Sequence, residues 1–337
     1  MTYKVTIKPS GSTFEVGVDE HLLDAAIHHG LHLPYSCRNG RCGSCKATLL
    51  SGEVRYAGER PPALSDEDQS RGQVLLCQGL AMGDLEVQVR EIAGVGGIQP
   101  RIMPVRVAKM ERLAPDVMRL YLKLPAGQRL MYLAGQYIDV LLKDGRRRSF
   151  SIANPPHDDE FIELHIRHVP GGHFTGHVFE HMKEKALLRI EAPLGNFFLR
   201  EDSNAPIIMM AGGTGFGPLK GMIEHAMHTG CDRPIYLFWG ARKRVDLYLH
   251  DLVKSWMHDH AALFSYTAVL SEPLEADHWQ GDTGWVHDAV LSHYPALNGF
   301  DVYMSGPPPM VEAARESFIS HGLDPDRLYF DSFEFAL

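Results

Sequence analysis

Four cysteines in the first quarter of the chain have a spacing that suits an iron–sulfur centre. Cys37, Cys42 and Cys45 form a Cys-x4-Cys-x2-Cys pattern, and Cys77 lies further along the chain. This is the spacing of a plant-type [2Fe–2S] centre, whose irons are held by four thiolates. Three thiolates on one tight loop converge on a cluster only where the backbone bends around it, so the fourth ligand can arrive from a distant segment. The pattern therefore predicts a [2Fe–2S] site with these four cysteines as metal ligands.

The residues between these cysteines suit such a bend. Gly40, Gly43 and Ser44 permit a tight turn and bring amide N–H groups near the sulfur atoms. The alternatives are a tetrahedral zinc site or unrelated thiols. A structural zinc loop usually pairs its cysteines as Cys-x2–4-Cys twice over, and a second pair is missing here. The fifth cysteine, Cys231, stands alone and is interpreted as a packing residue.

The composition is that of a globular protein with two or three domains. The chain has 337 residues, of which 45% are hydrophobic and 22% charged, and its net charge is −9. The acidic balance argues against nucleic-acid binding, which favours a basic surface. No run approaches the roughly 18–20 apolar residues of a membrane span, and the first residues lack the pattern of a signal peptide. A cytoplasmic protein is therefore expected.

The first 92 residues are expected to form a small β-rich unit that positions the cysteines. Alternating polar and apolar residues predict its strands, and a helix precedes the cysteine loop. The predicted strands are 3–8, 13–16 and 85–90, and the predicted helix is 22–29. The predicted linker is 93–102, because its first eight residues, 93–100, are Gly-rich and uncharged and end in a proline.

Two further segments differ in their predicted secondary structure. Residues 103–200 carry short alternating strands with frequent turn signals, which predicts a small barrel, with one helix near 174–183. Residues 201–337 instead alternate strand and helix. The apolar strand 207–210 runs into a Gly-rich loop and an amphipathic helix, and a strand at 235–239 follows. This order predicts a parallel sheet covered by helices.

Three later motifs bring together residues that could do chemistry. Arg148-Ser149-Phe150-Ser151 combines a guanidinium, an aromatic ring and hydroxyls in one short segment. The loop Gly213-Thr214-Gly215-Phe216-Gly217-Pro218 lies directly between a predicted strand and a predicted helix. Backbone N–H groups can approach a pyrophosphate there, although the loop is neither a Walker loop nor a strict Rossmann fingerprint. Ser305-Gly306-Pro307-Pro308 follows another predicted strand.

Together with the cysteine spacing, these motifs make the chain resemble the ferredoxin–NADP reductase superfamily over nearly its whole length. The branch concerned has a plant-type ferredoxin at the N-terminus. It includes reductase components of ring-hydroxylating dioxygenases and multicomponent monooxygenases, and the reductase of CDP-6-deoxy-hexulose dehydration. The resemblance implies a multidomain α+β and α/β fold. Its parts are a β-grasp ferredoxin domain at 1–92, an antiparallel β-barrel FAD domain at 103–200 and a parallel-sheet α/β NAD(P)-binding domain at 201–337.

The first motif is similar to the family's Arg-x-Tyr-Ser flavin signature. By that resemblance Arg148 pairs with the flavin nucleotide phosphate, Phe150 stacks on the flavin in place of tyrosine, and Ser151 hydrogen-bonds near its N5 edge. A solvated basic turn at 146–148 is the alternative. A second segment is similar to the family's pyrophosphate-binding stretch and favours FAD over FMN. The implied FAD contacts are Arg148, Ser149, Phe150, Ser151, His165, Ile166, Arg167, Gly171, Gly172 and Thr175.

The glycine loop resembles the family's nicotinamide-dinucleotide pyrophosphate loop. The implied dinucleotide contacts are Gly213, Thr214, Gly215, Pro218, Gly240, Arg242, Asp246, Tyr248, Gly306 and Pro307. Ser305 stands where the family often has a cysteine near the site of hydride transfer, and it is a candidate catalytic residue with Ser151. Phe333 lies in a tail that resembles the aromatic segment covering the flavin. It is the third catalytic candidate, with core packing as its alternative.

The resemblance implies an NAD(P)H-dependent iron–sulfur flavoprotein reductase. The implied cofactors are a [2Fe–2S] cluster, FAD and NADH, with NADPH possible. A hydride would pass from the nicotinamide to FAD, and single electrons would pass through the cluster to a separate oxygenase, hydroxylase or dehydrase component. The alternatives are a free flavin reductase and a redox sensor without turnover. The acidic run 66–68 is a candidate for docking the electron acceptor.

Overall fold

The computed structural model describes residues 1–92 and 97–333. The chain divides into two compact units. Met1–Arg101 with Pro193–Asn196 form the first unit, and Ile102–Ala192 with Phe197–Leu337 form the second. Part of the predicted linker, residues 93–96, lies outside the described residues. Among the described residues, no helix has both the length and the apolar composition needed to cross a bilayer.

The first unit contains short strands and two helices. The strands are β1 (Thr2–Lys8), β2 (Thr13–Gly17), β3 (Lys46–Ser51), β4 (Val54–Tyr56), β5 (Gln73–Leu75), β6 (Gly79–Ala81) and β7 (Leu85–Gln88), and the helices are α1 (Leu22–His28) and α2 (Asp66–Ser70). Five strands form one sheet in the order β2-β1-β7-β3-β5, in which β1 and β7 are parallel. Strands β4 and β6 pair in a separate ribbon.

Side-chain alternation explains how the first unit forms its core. Val5 and Ile7 lie on one face of β1 and are completely buried, because side chains two residues apart share a face of a strand. Helix α1 adds Leu23 and Ala26, which are also completely buried. The chain then leaves the helix and runs without regular structure through the cysteine loop to β3.

The second unit begins with an antiparallel barrel. Its elements are β8 (Arg101–Ala114), β9 (Val117–Lys123), β10 (Tyr137–Leu141), β11 (Arg147–Ser151), β12 (Ile162–Arg167), α3 (His173–Glu180) and β13 (Leu187–Leu194). The strand order is β11-β10-β13-β8-β9-β12. An antiparallel bridge between Ile152 and Leu164 joins the two ends of this order, so the sheet closes on itself.

The predicted linker extends too far at its C-terminal end. Strand β8 begins at Arg101 and includes Ile102, two residues that the linker prediction had covered. Pro104 favours a later strand start, since proline donates no backbone hydrogen bond. Pairing with β9 runs from Arg106 onwards, so Pro104 lies before that part of the ladder.

The remainder of the second unit is a parallel sheet with helices on both faces. Its elements are β14 (Ile207–Gly212), α4 (Phe216–Thr229), β15 (Ile235–Ala241), α5 (His250–Asp259), β16 (Phe264–Leu270), β17 (Asp282–Thr283), α6 (Val286–His293), β18 (Asp301–Gly306), α7 (Pro308–Ser320) and β19 (Leu328–Ser332). The order is β17-β16-β15-β14-β18-β19, and neighbouring strands are parallel. Met209 of β14 packs in a cluster with residues of α4 and α5, and Met210 packs in a cluster with residues of α6 and α7.

The strand order reverses beside β14. The chain passes from β14 to β15 and β16 on one side, and later returns to β18 and β19 on the other. The carboxyl ends of β14 and β18 therefore flank the crevice where open α/β sheets bind their ligands. The glycine loop follows β14, and Ser305 and Gly306 end β18, so the fold brings these two motifs to the same crevice.

Candidate functional site

The cysteine loop of the first unit has the bent backbone that its glycines predict. Gly40 and Gly43 have φ angles of +79° and +74°, in the left-handed region that glycine adopts without strain. A Cβ on Gly40 would lie 2.9 Å from the Cβ of Pro61, so a side chain has no room there. Cys77 follows β5, which places the fourth thiol opposite the loop.

The four thiols form two pairs. The N–H of Cys42 donates to the Sγ of Cys37 at 3.3 Å. A hydrogen bond from the Cys37 thiol lowers the pKa of Cys42 to about 5 and raises that of Cys37. The hydrogen bond between Cys45 and Cys77 likewise lowers the pKa of Cys45 and raises that of Cys77.

Two pairs of thiols fit a two-iron centre with two thiolates on each iron. The residues therefore fit a [2Fe–2S] cluster, with Cys37 and Cys42 on one side and Cys45 and Cys77 on the other.

Gln78 was not predicted and connects the two arms of this site. Its Nε2 donates to the carbonyl oxygen of Arg38 at 3.0 Å and to that of Cys77 at 2.9 Å. Arg38 follows the first cysteine of the loop, so one amide side chain ties the loop to the turn that carries Cys77. A glutamine beside a cysteine carries no sequence signal for such a role, because the contact forms only in the fold.

In the second unit, the flavin motif contains one arginine without an acidic partner. Arg146 pairs with Asp144, and Arg147 pairs with Glu191. Arg148 donates to the carbonyl oxygen of Arg147 at 2.8 Å, and no carboxylate of the described residues forms an ion pair with it. Its guanidinium can therefore bind a phosphate group.

The other residues of the flavin motif have different surroundings. The hydroxyl of Ser149 donates to the buried carboxylate of Asp139 at 2.6 Å, so it is already engaged within the protein. The ring of Phe150 lies 5.5 Å from that of Phe174, measured between centroids, and is partly buried. The hydroxyl of Ser151 donates to Asp331 on β19 at 3.3 Å, which links the end of β11 to the parallel sheet.

Strand β12 places its side chains inside the protein. His165 is almost completely buried, with Nε2 2.8 Å from Glu163 and Nδ1 3.0 Å from the hydroxyl of Tyr248. Ile166 is completely buried in the barrel core. Since both ring nitrogens of His165 are engaged, its side chain has no free atom for FAD. A cofactor contact here is left to the backbone.

Arg167 ends β12 beside the glycine loop. Its Nε donates to Asp116 at 2.8 Å. A Cβ on Gly213 would lie 2.7 Å from the Nη1 of Arg167, and Gly213 has a φ of +55°. The fold thus sets a cation from the barrel against the loop predicted to bind the dinucleotide.

The segment that opens α3 has the expected glycine turn. Gly171 has a φ of +76°, and Gly172 precedes the first residue of the helix. The backbone N–H of Val169 donates to the hydroxyl of Thr175 at 3.2 Å, so that side chain shapes the turn. The helix covers residues 173–180 and is shorter at its C-terminal end than the predicted 174–183.

The glycine loop lies directly against the end of β18. A Cβ on Gly215 would overlap the carbonyl oxygen of Ser305, so only glycine fits. Thr214 and Pro218 are buried, and Pro218 lies in the first turn of α4, where its missing N–H costs no helical bond. The loop therefore packs directly against the backbone at the end of β18.

Ser305 has a buried hydroxyl that finds no hydrogen-bond partner among the described residues. Such a group is costly unless a ligand satisfies it, so it fits a bound nicotinamide or flavin. Next to it, Gly306 accepts a hydrogen bond from the N–H of Phe333 at 2.9 Å, and Pro307 caps α7. The backbone of Phe333 is thereby held at the crevice. Residues 334–335 of the aromatic tail lie outside the described residues.

The predicted adenosine contacts differ from one another. A Cβ on Gly240 would lie 2.7 Å from that of Val286, so this glycine allows the close approach of α6. Asp246 accepts the N–H of Lys243 at 3.1 Å, and the ring of Tyr248 packs against Trp239. Arg242 is exposed. Of the side chains predicted for this half of the dinucleotide, Arg242 is the one open to solvent.

Three family models match the chain. The 2Fe-2S iron-sulfur cluster binding domain matches residues 5–82, the oxidoreductase FAD-binding domain matches 104–199, and the oxidoreductase NAD-binding domain matches 209–316. The chain therefore belongs to the ferredoxin–NADP reductase superfamily, in the branch with an N-terminal plant-type [2Fe–2S] domain. It is an iron–sulfur flavoprotein oxidoreductase with [2Fe–2S], FAD and NADH as its cofactors.

Similar proteins cover almost the whole chain. The CDP-6-deoxy-L-threo-D-glycero-4-hexulose-3-dehydrase reductase of Yersinia pestis is 40% identical over 333 residues, covering 99% of each chain. Terephthalate 1,2-dioxygenase reductase component 1 of a Comamonas species is 35% identical over 337 residues, covering 99% of this chain and 98% of the relative. The crystal structure of an Amycolatopsis cytochrome P450 reductase has a TM-score of 0.85 and 31% identity, covering 98% and 99% of the two chains.

Proposed function

We propose that the chain delivers electrons from reduced nicotinamide to a separate oxygenase, hydroxylase or dehydrase component. FAD supplies the conversion from hydride to single electrons, and the [2Fe–2S] cluster carries the electrons singly. The similar proteins are named as reductases of a dehydrase, a dioxygenase and a cytochrome P450. We assign the ferredoxin domain to residues 1–92, the FAD domain to 103–200 and the NAD(P) domain to 201–337.

One observation carries this proposal. Ser151 at the end of the flavin motif donates to Asp331, and Asp331 is the register partner of Ser305 on the adjacent strand. The carbonyl oxygen of Ser305 in turn touches Gly215 of the glycine loop. The flavin motif is thus linked to the dinucleotide loop through Asp331 and Ser305, which supports direct transfer between two bound rings.

The chain's own residues have distinct tasks in this proposal. Arg148 binds the flavin nucleotide phosphate, and Phe150 stacks on the flavin ring. Ser151 orients the reacting edge of that ring, and Ser305 donates its unpaired hydroxyl to the bound nicotinamide or flavin. Phe333 covers the ring from its backbone anchor at Gly306.

We place this activity in the cytoplasm. Four thiols that must bind iron as thiolates are best kept reduced, and the cytosol keeps cysteines reduced. The fifth cysteine, Cys231, is separate from the cluster residues and packs against the core beside β14 and α4.

Anaerobic titration of the purified protein with NADH, followed by visible absorbance, tests the proposal. We expect the absorbance bands of both the flavin and the cluster to bleach. The electrons taken up should exceed those supplied by one equivalent of NADH, and they should not exceed the combined capacity of the two centres. Electron paramagnetic resonance should then detect the reduced cluster. A protein without iron and labile sulfide, or one whose flavin NADH fails to bleach, would contradict it.

Replacing Arg148 with alanine is expected to weaken FAD binding by about 10- to 100-fold, because a charge-assisted hydrogen bond to phosphate is lost. The dissociation constant for FAD, measured by flavin fluorescence on the deflavinated protein, checks this. Arg146→Ala is the matched control. Arg146 already pairs with Asp144 at the surface, so its loss should change FAD affinity by less than about threefold. Equal losses in the two variants would contradict a specific role for Arg148.

A further inference from the structure

A buried ionic network connects the barrel to the parallel sheet. Glu163 on β12 is its centre, with only 8% of its side chain exposed. Its carboxylate lies 3.3 Å from the Nζ of Lys220 and 2.8 Å from the Nε2 of His165. Arg119 approaches it from β9 at 3.7 Å. None of these contacts is needed for the cofactor roles described above.

Lys220 is the only described cation that α4 sends into this network. Its side chain is 6% exposed, and its three donors are all used. Besides Glu163, the Nζ donates to the carbonyl oxygen of Ala153 at 3.1 Å and to Glu224 at 3.0 Å. Ala153 lies two residues after Ser151, so Lys220 holds the backbone that continues directly from the flavin motif.

The same helix begins at the dinucleotide loop. α4 starts at Phe216, immediately after the loop residues Gly213–Gly215. A Cβ on Gly221 would lie 3.0 Å from the carbonyl oxygen of Asn154, and one on Gly217 would lie 3.7 Å from the Cβ of Ala153. The two positions, four residues apart, lie on the helix face that meets the barrel, and at Gly221 the missing side chain allows the close approach.

The basic neighbours of Glu163 keep its buried carboxylate ionised. Burial opposes ionisation of Glu163, but the hydrogen bond from His165 and the charges of Lys220 and Arg119 lower its pKa to about 2. Burial lowers the pKa of His165, which favours the neutral ring. The ring then donates to Glu163 and accepts from Tyr248. A buried ion pair of this kind has one low-energy geometry, which suits it to fixing the relative position of two elements.

We infer that Lys220 and Glu163 are positioning residues, which hold the dinucleotide loop at a fixed distance from the flavin motif. This inference rests on the proposed function. Lys220 sits one turn into the helix that carries the loop, and its partners are on the strand next to the flavin motif and on the chain that leaves it. Loosening this contact would let the nicotinamide and flavin drift apart, without removing any group that binds either of them.

The test compares Lys220→Met with the wild-type holoenzyme by anaerobic stopped-flow. Methionine keeps the unbranched stem of the side chain and removes its terminal ammonium group, and Arg119 remains to compensate Glu163. We expect the rate constant for flavin bleaching at saturating NADH to fall about 10- to 100-fold, since displacements near 1 Å cost this much. FAD content and the dissociation constant for NADH should change less than about threefold, because no binding group is lost.

A second readout needs no bound cofactor. In the apoprotein, hydrogen–deuterium exchange should become faster around residues 152–154 and at the start of α4 in Lys220→Met, and slower exchange there would be evidence against the inference. Glu163→Gln should reproduce both effects. The double variant should be no slower than the single ones, because both residues act through one contact. Lys254→Met, an exposed lysine on α5, is the matched control and should leave both readouts unchanged.

The outcomes separate this inference from the proposed function. If NADH does not bleach the wild-type flavin, the proposed function fails. If it does and Lys220→Met bleaches equally fast with unchanged exchange, only the positioning role is overturned. Additive losses in the double variant would also overturn it, because they would show two independent contributions.

Discussion

Replacing Cys42 with serine is expected to abolish electron delivery to cytochrome c while leaving flavin reduction by NADH intact. Mutating a residue that only hydrogen-bonds to a metal ligand typically lowers metal affinity or activity by about 10- to 100-fold. Removing a ligand itself should therefore cost at least as much. Cys42 is the thiol whose pKa its partner lowers to about 5, and it shares one side of the predicted cluster with Cys37. Iron and labile sulfide content, together with the two reduction rates, would check this.

Cys231→Ser is the matched control for this change. Cys231 packs against the core of the second unit and is not grouped with the other four cysteines. We expect it to retain iron, sulfide and both rates. If Cys42→Ser also kept its cluster and its rate with cytochrome c, the four-thiolate assignment would be wrong. Loss of flavin reduction in Cys42→Ser would instead contradict the separation of the two electron-transfer steps.

Replacing Gly215 with alanine should reduce NADH-dependent flavin bleaching by on the order of 100-fold or more. The added methyl group would overlap the backbone of Ser305, which is not a flexible side chain that can move away. The loop or the end of β18 must shift, and both belong to the predicted nicotinamide site. Overpacking of this kind costs roughly 1–3 kcal/mol of unfolding free energy, which a domain stable by about 5–15 kcal/mol should survive.

Chemical reduction distinguishes a displaced loop from a damaged protein. Dithionite should still bleach both the flavin and the cluster of Gly215→Ala, and its FAD content should match the wild type. Gly58→Ala is the control, because a Cβ on Gly58 would meet nothing within 4 Å. A Gly215→Ala protein that NADH reduces at the normal rate would show that the close approach to Ser305 has no part in dinucleotide binding.

Much of the fold was predictable from sequence because its signals are local. Alternation predicted β1 and β2 almost to the residue, since a strand's buried face depends on residues two apart. A continuous apolar run predicted β14, which continues two residues beyond the predicted 207–210. The placement of the glycine loop between strand and helix predicted the crevice. The start of β8 was not predictable in this way, because a Gly-rich composition does not show at which residue pairing with the neighbouring strands begins.

The acidic run at 66–68 shows a limit of the same kind. By sequence it is a negative patch that could dock an electron acceptor. In the structure, Asp66 pairs with Arg60 and Asp68 with Lys46. Glu67 likewise pairs with Arg71. Each carboxylate of the run therefore has a basic partner, which reduces the local net charge, and docking through this run stays a prediction.

Sequence alone determined the cofactor chemistry of this protein. The cysteine spacing, the glycine loop and the flavin motif are local patterns. Each indicates its cofactor through residue types that lie close together in the sequence. Tertiary structure decided which of the predicted side chains are available to bind the cofactors. Arg148 lacks the acidic partner that Arg146 and Arg147 have. Both ring nitrogens of His165 are engaged, by Glu163 and by Tyr248. Lys220 connects helix α4 to Glu163 on strand β12. These outcomes depend on which side chains meet across distant elements, and no local pattern records such a meeting.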